Sequence, residues 1–136
     1  MTKREQILSA ILIILKGISG VNPDHVVRSR AFPYNEKSLP FISISPRIEQ
    51  RNEAVMTNID SILSVKISLW ANGDVPDQVA DSIVSQIDSL MMADRTLGGL
   101  AMDLRPVDVS FEFDEGNKPE VQVDLDYLIQ FRTILT

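Results

Sequence analysis

The sequence predicts an α+β fold: a mostly antiparallel sheet of about four to five strands, two helices packed on one face, and an extended loop or hairpin arm. Two adjoining periodicities carry that expectation. Between Leu63 and Leu69 the apolar Leu63, Val65, Ile67 and Leu69 alternate with Ser64, Lys66 and Ser68, the period-two pattern of a strand with one buried face. Trp70 breaks the alternation. After Ala71-Asn72-Gly73 the period becomes helical, with Val75, Val79, Ile83, Ile87, Leu90 and Met91 on one stripe and Asp81, Ser85, Asp88 and Ser89 off it. A one-sided strand and a one-sided helix each need a cover, so this helix is expected to lie across the sheet.

The helix start is read from Asp74 as N-cap, Pro76 where a missing N–H costs nothing, and Asp77 in the first turn. A second helix is expected from about Lys3 to Ile18. Thr2-Lys3-Arg4-Glu5 matches the capping-box pattern. Ile7, Leu8, Ile11, Leu12, Ile14, Leu15 and Ile18 give a wide apolar face, and Gly17 and Gly20 close it. Lys3 and Arg4 before this apolar run superficially resemble a secretion signal. Glu5 among the leading residues and Lys16 after a short run argue instead for a helix docked on a core.

The 136 residues, 44% of them hydrophobic, suit one domain spanning 1–136 with a core that needs no staples. There is no cysteine, so disulfides and thiolate metal sites are excluded.

Along the chain, Val26 to Arg30 reads as a short strand, and Pro33, Asn35 and Pro40 mark an exposed loop. Phe41 to Ser45 is a second short strand closed by Pro46. The arm, about 46–58, has neither clear period nor core-forming density and is expected as a long connection or an extended hairpin. Gly98-Gly99 predicts an unusual turn; without a following Lys-Ser/Thr it is no phosphate cradle. Val107, Val109, Phe111 and Phe113 share one face, and Val121, Val123, Leu125, Tyr127, Ile129 and Phe131 share another. With Glu115-Gly116-Asn117-Lys118-Pro119 as the turn, this is a hairpin pairing Phe113 with Val121, Phe111 with Val123 and Val109 with Leu125. Its other face then sets Asp108 against Asp126 and Asp114 against Glu120, with Glu112 and Asp124 nearby. Like charges so placed are unfavourable unless water screens them or something positive comes close.

A net charge of −6 argues against gripping nucleic acid. Residues 1–60 hold eight Lys/Arg and six Asp/Glu, and residues 61–136 hold five and thirteen, so +2 faces −8. That asymmetry suits either a solvated acidic surface or a head-to-tail contact between copies. Nucleophilic catalysis has little to work with, since His25 is the sole histidine. Asp108, Asp114, Asp124 and Asp126 could serve Mg or Ca, but acids alternating along a flat hairpin spread out instead of converging on an ion. Trp70 and Tyr34 without a basic groove read as packing or interface residues, not as platforms for bases.

The order of elements carries a resemblance. Val27-Arg28-Ser29-Arg30, Leu39-Pro40 before a strand, the long arm, the Val65 to Trp70 strand, Ala71-Asn72-Gly73-Asp74, Asp77-Gln78-Val79-Ala80-Asp81, Met92-Ala93-Asp94-Arg95-Thr96-Leu97-Gly98-Gly99 and Tyr127-Leu128-Ile129-Gln130-Phe131-Arg132-Thr133 follow in sequence over nearly the whole chain. In this the chain resembles the tail terminator proteins of long-tailed bacteriophages, with Ala93 to Gly99 the most specific piece. The resemblance implies a non-enzymatic subunit without cofactor that forms a ring, commonly a hexamer, on the last ring of tail tube protein. Such a ring stops tube growth and presents a docking face to the head-tail connector protein. It implies a place at the head-proximal end of the virion tail, with assembly in the host cytoplasm, DNA passing through the ring and no membrane partner. On charge and expected exposure, Arg28, Arg30, Arg47, Arg51 and Trp70 are the candidate subunit or tube contacts. Asp108, Glu112, Asp114, Asp124 and Asp126 are the candidate channel-facing acids. Another head-to-tail joining or neck adaptor protein, or a small metal-dependent hydrolase, is the alternative.

Overall fold

The computed structural model describes residues 1–55, 57–115 and 118–134. It is an α+β fold. A five-stranded sheet in the order β1-β2-β3-β5-β4 is built from β1 (Val26–Arg28), β2 (Phe41–Val55), β3 (Asn58–Asn72), β4 (Asp103–Asp114) and β5 (Glu120–Ile134). Only the short β1 is parallel to its neighbour; the other three pairings are antiparallel. The helices α1 (Lys3–Leu15) and α2 (Pro76–Ala93) pack on one face, α1 against β1, β2 and α2, and α2 against β3, β5 and the start of β4. Short 3-10 turns at Pro23–His25 and Glu36–Ser38 flank β1 and the loop after it.

The core is the meeting of the two predicted stripes. Leu63, Val65, Ile67 and Leu69 of β3 and the odd-numbered apolar residues of β5 from Val121 to Phe131 are buried beneath Ile7, Leu8, Ile11 and Leu15 of α1 and Ala80, Ile83, Ile87 and Met91 of α2. The β3–β5 ladder runs without a slip from Asn58↔Ile134 to Asn72↔Glu120. Every odd position on both strands therefore faces the helices. The expected β4–β5 pairs, Phe113↔Val121, Phe111↔Val123 and Val109↔Leu125, are in register. The turn expected at Gly116 and Asn117 lies outside the described residues, as does Met56 of the arm.

Several boundaries differ from the sequence reading. β2 does not stop at Pro46 but continues to Val55, so of the two expectations for the arm the extended hairpin is the one that forms. From Ser45 onward β1 no longer pairs with β2, which makes β2 an edge, and a register shift sits between Pro46 and Ile48. A proline without an N–H is tolerated at such an edge and bulge. Because β5 follows β3 to Asn58, the arm is a three-stranded extension. β1 ends at Arg28, with Ser29 at φ 59 turning the chain away. α1 ends at Leu15, where the Gly17 and Ile18 amides donate to the Ile14 and Leu15 carbonyls. Only half of the capping box forms: the Thr2 hydroxyl accepts from the Glu5 amide, but the Glu5 carboxylate is taken by Arg28.

Asp74 is not the cap of α2. Val75 occupies that position, and its carbonyl accepts from the Gln78 and Val79 amides. The buried stripe is Pro76, Ala80, Ile83, Ile87 and Met91. Val75 and Val79, expected on it, are 51% and 41% exposed, because the stripe is centred on small Ala80, which the hydrophobic reading passed over.

The layer is one helix short. A helix is about 10 Å across and strands are about 4.8 Å apart, so two helices cover roughly four strands. β4 is the strand left out: every residue from Arg105 to Glu115 is exposed. Ile67→Ala, at a fully buried site, is expected to lower unfolding free energy by about 2–5 kcal/mol. Phe111→Ala, at 56% exposure, should cost less than about 1 kcal/mol in dilute protein. Urea denaturation of both variants checks the contrast.

Candidate functional site

The helix-free face is where the predicted acids are brought together. Three rungs cross it: Phe41, Trp70, Gln122 and Glu112; then Ser43, Ser68, Asp124 and Ser110; then Ser45, Lys66, Asp126 and Asp108. At the end of the hairpin Asn72, Glu120 and Asp114 continue the plate. The like-charged pairs Asp108↔Asp126 and Asp114↔Glu120 are thus adjacent, as the alternation implied. The positive partner is also present. Arg47, the extra residue of the β2 bulge, reaches Asp126 at 3.4 Å, and Lys66 is the β3 register partner of Asp126. Asp124 accepts from the Ser68 hydroxyl at 2.7 Å and from the Gln122 amide at 3.2 Å.

The β2–β3 corner of this face is roofed by the loop after β1. Tyr34 stands edge-on to Phe41 at 5.1 Å, and Phe41 edge-on to Trp70 at 5.9 Å. The Arg30 guanidinium lies 4.3 Å over Tyr34, and the Arg30 amide donates to the Ser43 hydroxyl. Trp70 broke the alternation because it faces this second, smaller apolar cluster. At 4% exposure it is a packing residue inside the subunit. The candidate arginines have partners within the chain as well: Arg28 with Glu5, Arg30 with Tyr34, Arg47 with Asp126 and Arg51 with Glu49. Arg47 and Arg51 keep about half of their side-chain surface in solvent, at 51% and 58%.

Sequence reasoning missed the Tyr127–Asp88 contact that ties β5 to α2. Burial first, and then the Asp88 carboxylate, push the Tyr127 phenol far above its ordinary value, so it remains the donor. The signal was a tyrosine within an otherwise aliphatic stripe, opposite a helix whose flank carries an aspartate.

No family profile matches the chain, and no curated protein matches it. What the face can do therefore rests on its geometry. Among the described residues no three His, Asp or Glu side chains are grouped to hold a metal ion. Two clefts near the arm base, about 120 and 220 Å³ in volume, and an open one between Gly17 and Leu90 of about 230 Å³ are smaller than the ~300 Å³ at which small-molecule sites begin. No helix among the described residues is long and apolar enough to cross a membrane. What the exposed surface offers is a charged plate and a free strand.

The Ala93 to Gly99 segment is a tight turn wrapped around one carboxylate. Asp94 accepts from the Thr96 hydroxyl and amide and from the Gly98 amide, while Leu97, Gly98 and Gly99 all take positive φ. Those donors hold the Asp94 carboxyl below its ordinary value. Arg28, Arg132 and Arg95 do the same for Glu5, Asp60 and Asp103. A carboxyl depressed in the fold binds fewer protons there than in the unfolded chain. Its stabilisation is complete above the unfolded value, about pH 4, and is lost as pH falls through the native value. Stability should therefore be flat from neutral pH to about 5 and decline below about 4. Asp94→Asn should shallow that acid decline, as read from thermal unfolding across pH.

Proposed function

We propose that this chain is a structural subunit that assembles into a ring, commonly a hexamer, on the end of a phage tail tube, stops tube growth and offers a face to the head-tail connector. The observation that carries the reading is the bare edge strand β4: a fold that leaves Val109, Phe111 and Phe113 in solvent has kept an apolar surface for another protein. The order of elements and the Ala93 to Gly99 turn support the same family resemblance. The acidic plate, Asp108, Glu112, Asp114, Asp124 and Asp126, borders the channel in this reading, where its charge keeps passing DNA from sticking. Arg47, Arg51 and the arm that carries them face the tube or a neighbour.

Added to polymerising tail tube protein, the purified chain should co-sediment with the tubes and shorten them in electron micrographs. Binding to portal rings alone would make it a neck adaptor, and binding to neither would overturn the reading. Changing Asp124 and Asp126 together to Asn should leave tube capping intact but lower the yield of infectious particles. An unchanged titre would remove the channel assignment.

A further inference from the structure

The sheet has two open edges, β1 and β4, at opposite ends. Beyond the bulge between Pro106 and Asp108, β4 pairs regularly with β5 through Asp114, and among the described residues no strand lies beyond its outer backbone N–H and C=O groups. An exposed edge with an apolar strip pairs with another chain unless it is blocked. The strip here is Val109, Phe111 and Phe113, at 47%, 56% and 56% exposure.

Pairing with the same strand of a second copy is opposed by the charges. In any antiparallel self-register that keeps faces matched, the set Asp108, Ser110, Glu112 and Asp114 falls against itself. Centring on Ser110 sets Asp108 against Glu112, and centring on Phe111 sets Asp108 against Asp114. Such rungs are destabilising. The opposite edge has the complementary character. After β1 the chain carries Arg30, Glu36 and Lys37, a net charge of +1, with Phe32 and Tyr34 exposed at 72% and 51%. Arg30 stacks on Tyr34 and its Nε donates to the Phe32 carbonyl, and neither of these partners is a carboxylate. Its amide is held by Ser43 on the helix-free face, the face that also carries Asp108 and Glu112.

We propose that the β4 edge of one copy docks on the β1 edge and the Arg30–Lys37 loop of the next, a head-to-tail contact between the two ends of the sheet. It rests on the ring reading for its use of a second copy and specifies the surfaces. Each docking leaves one β4 and one β1 edge open, so the series ends only when the ring closes. The contact weakens with salt, because Arg30 and Lys37 meet Asp108 and Glu112 in screened surroundings.

The cysteine-free sequence allows a clean test. Ala31→Cys and Ser110→Cys, both at exposed positions, are made separately, checked for unchanged melting, and treated with a short bis-maleimide at a concentration where sedimentation shows oligomers. The mixture should give Ala31→Cys to Ser110→Cys heterodimers, identified from cross-linked peptides, and the double variant a ladder. Arg30→Glu should dissociate the oligomer, and Asp108→Arg with Glu112→Arg in the same chain should restore it. Efficient dimers of Ser110→Cys alone, no cross-link in any mixture, or a wild-type chain that stays monomeric would overturn the proposal. Tube capping is scored separately. Heterodimers without capping would spare this contact and sink the terminator reading, and capping with Ser110→Cys homodimers would do the reverse.

Discussion

The uninterrupted β3–β5 ladder is the constraint on which the rest of the structure depends. Its unbroken register from Asn58↔Ile134 to Asn72↔Glu120 commits every odd residue of both strands to one face. The helices have only one place to go once that face is fixed. α2 follows β3 after the short Gly73 turn and falls back on the β3–β5 pair, where Tyr127 and Asp88 fasten it. α1 then fills the space over β2 and β1, its first turn anchored by Arg4 to Glu49 at the arm base and by Glu5 to Arg28 of β1.

The same commitment exposes what the helices cannot reach. β4 belongs to the sheet by pairing with β5, yet two helices do not extend to its outer half, and its aromatic residues remain in water. On the reverse face the acids are arranged by the same ladder, with Arg47 and Lys66 placed beside Asp126. Both surfaces belong to elements whose backbone geometry is set by the core, so they are rigid templates. In the ring proposed above, surfaces held this way would lose little entropy on association.

Much of this was legible in the sequence because period-two and helical patterns report which face is buried. The β4–β5 register and the acid pairs followed from alternation alone. Where the reading fell short, the missing information was tertiary. Pro46 reads as a strand end unless it is known that β1 has already stopped and β2 has become an edge. Val75 and Val79 read as core until Ala80 is seen at the centre of the stripe. Trp70 could not be assigned without the loop that roofs it, and the apolar face of β4 looks as core-forming as that of β5 until the helices are counted. The candidate arginines were placed by charge, which says nothing of their partners inside the chain.

The three register shifts act on the sheet as frame shifts that have already been absorbed. Pro46 and Ile48 face Val65 and Ser64, Glu53 and Val55 face Ile59 and Asn58, and Pro106 and Asp108 face Tyr127 and Asp126, so Arg47, Ala54 and Val107 are supernumerary to otherwise continuous pairing. Loss of any one of them would even the ladder at that point without turning a single downstream side chain over, whereas a deletion within β3 or β5 would invert everything beyond it. Length variation in this fold is thereby confined to the two outlying strands, and the arm and the free edge can drift in size while the buried centre keeps its phase.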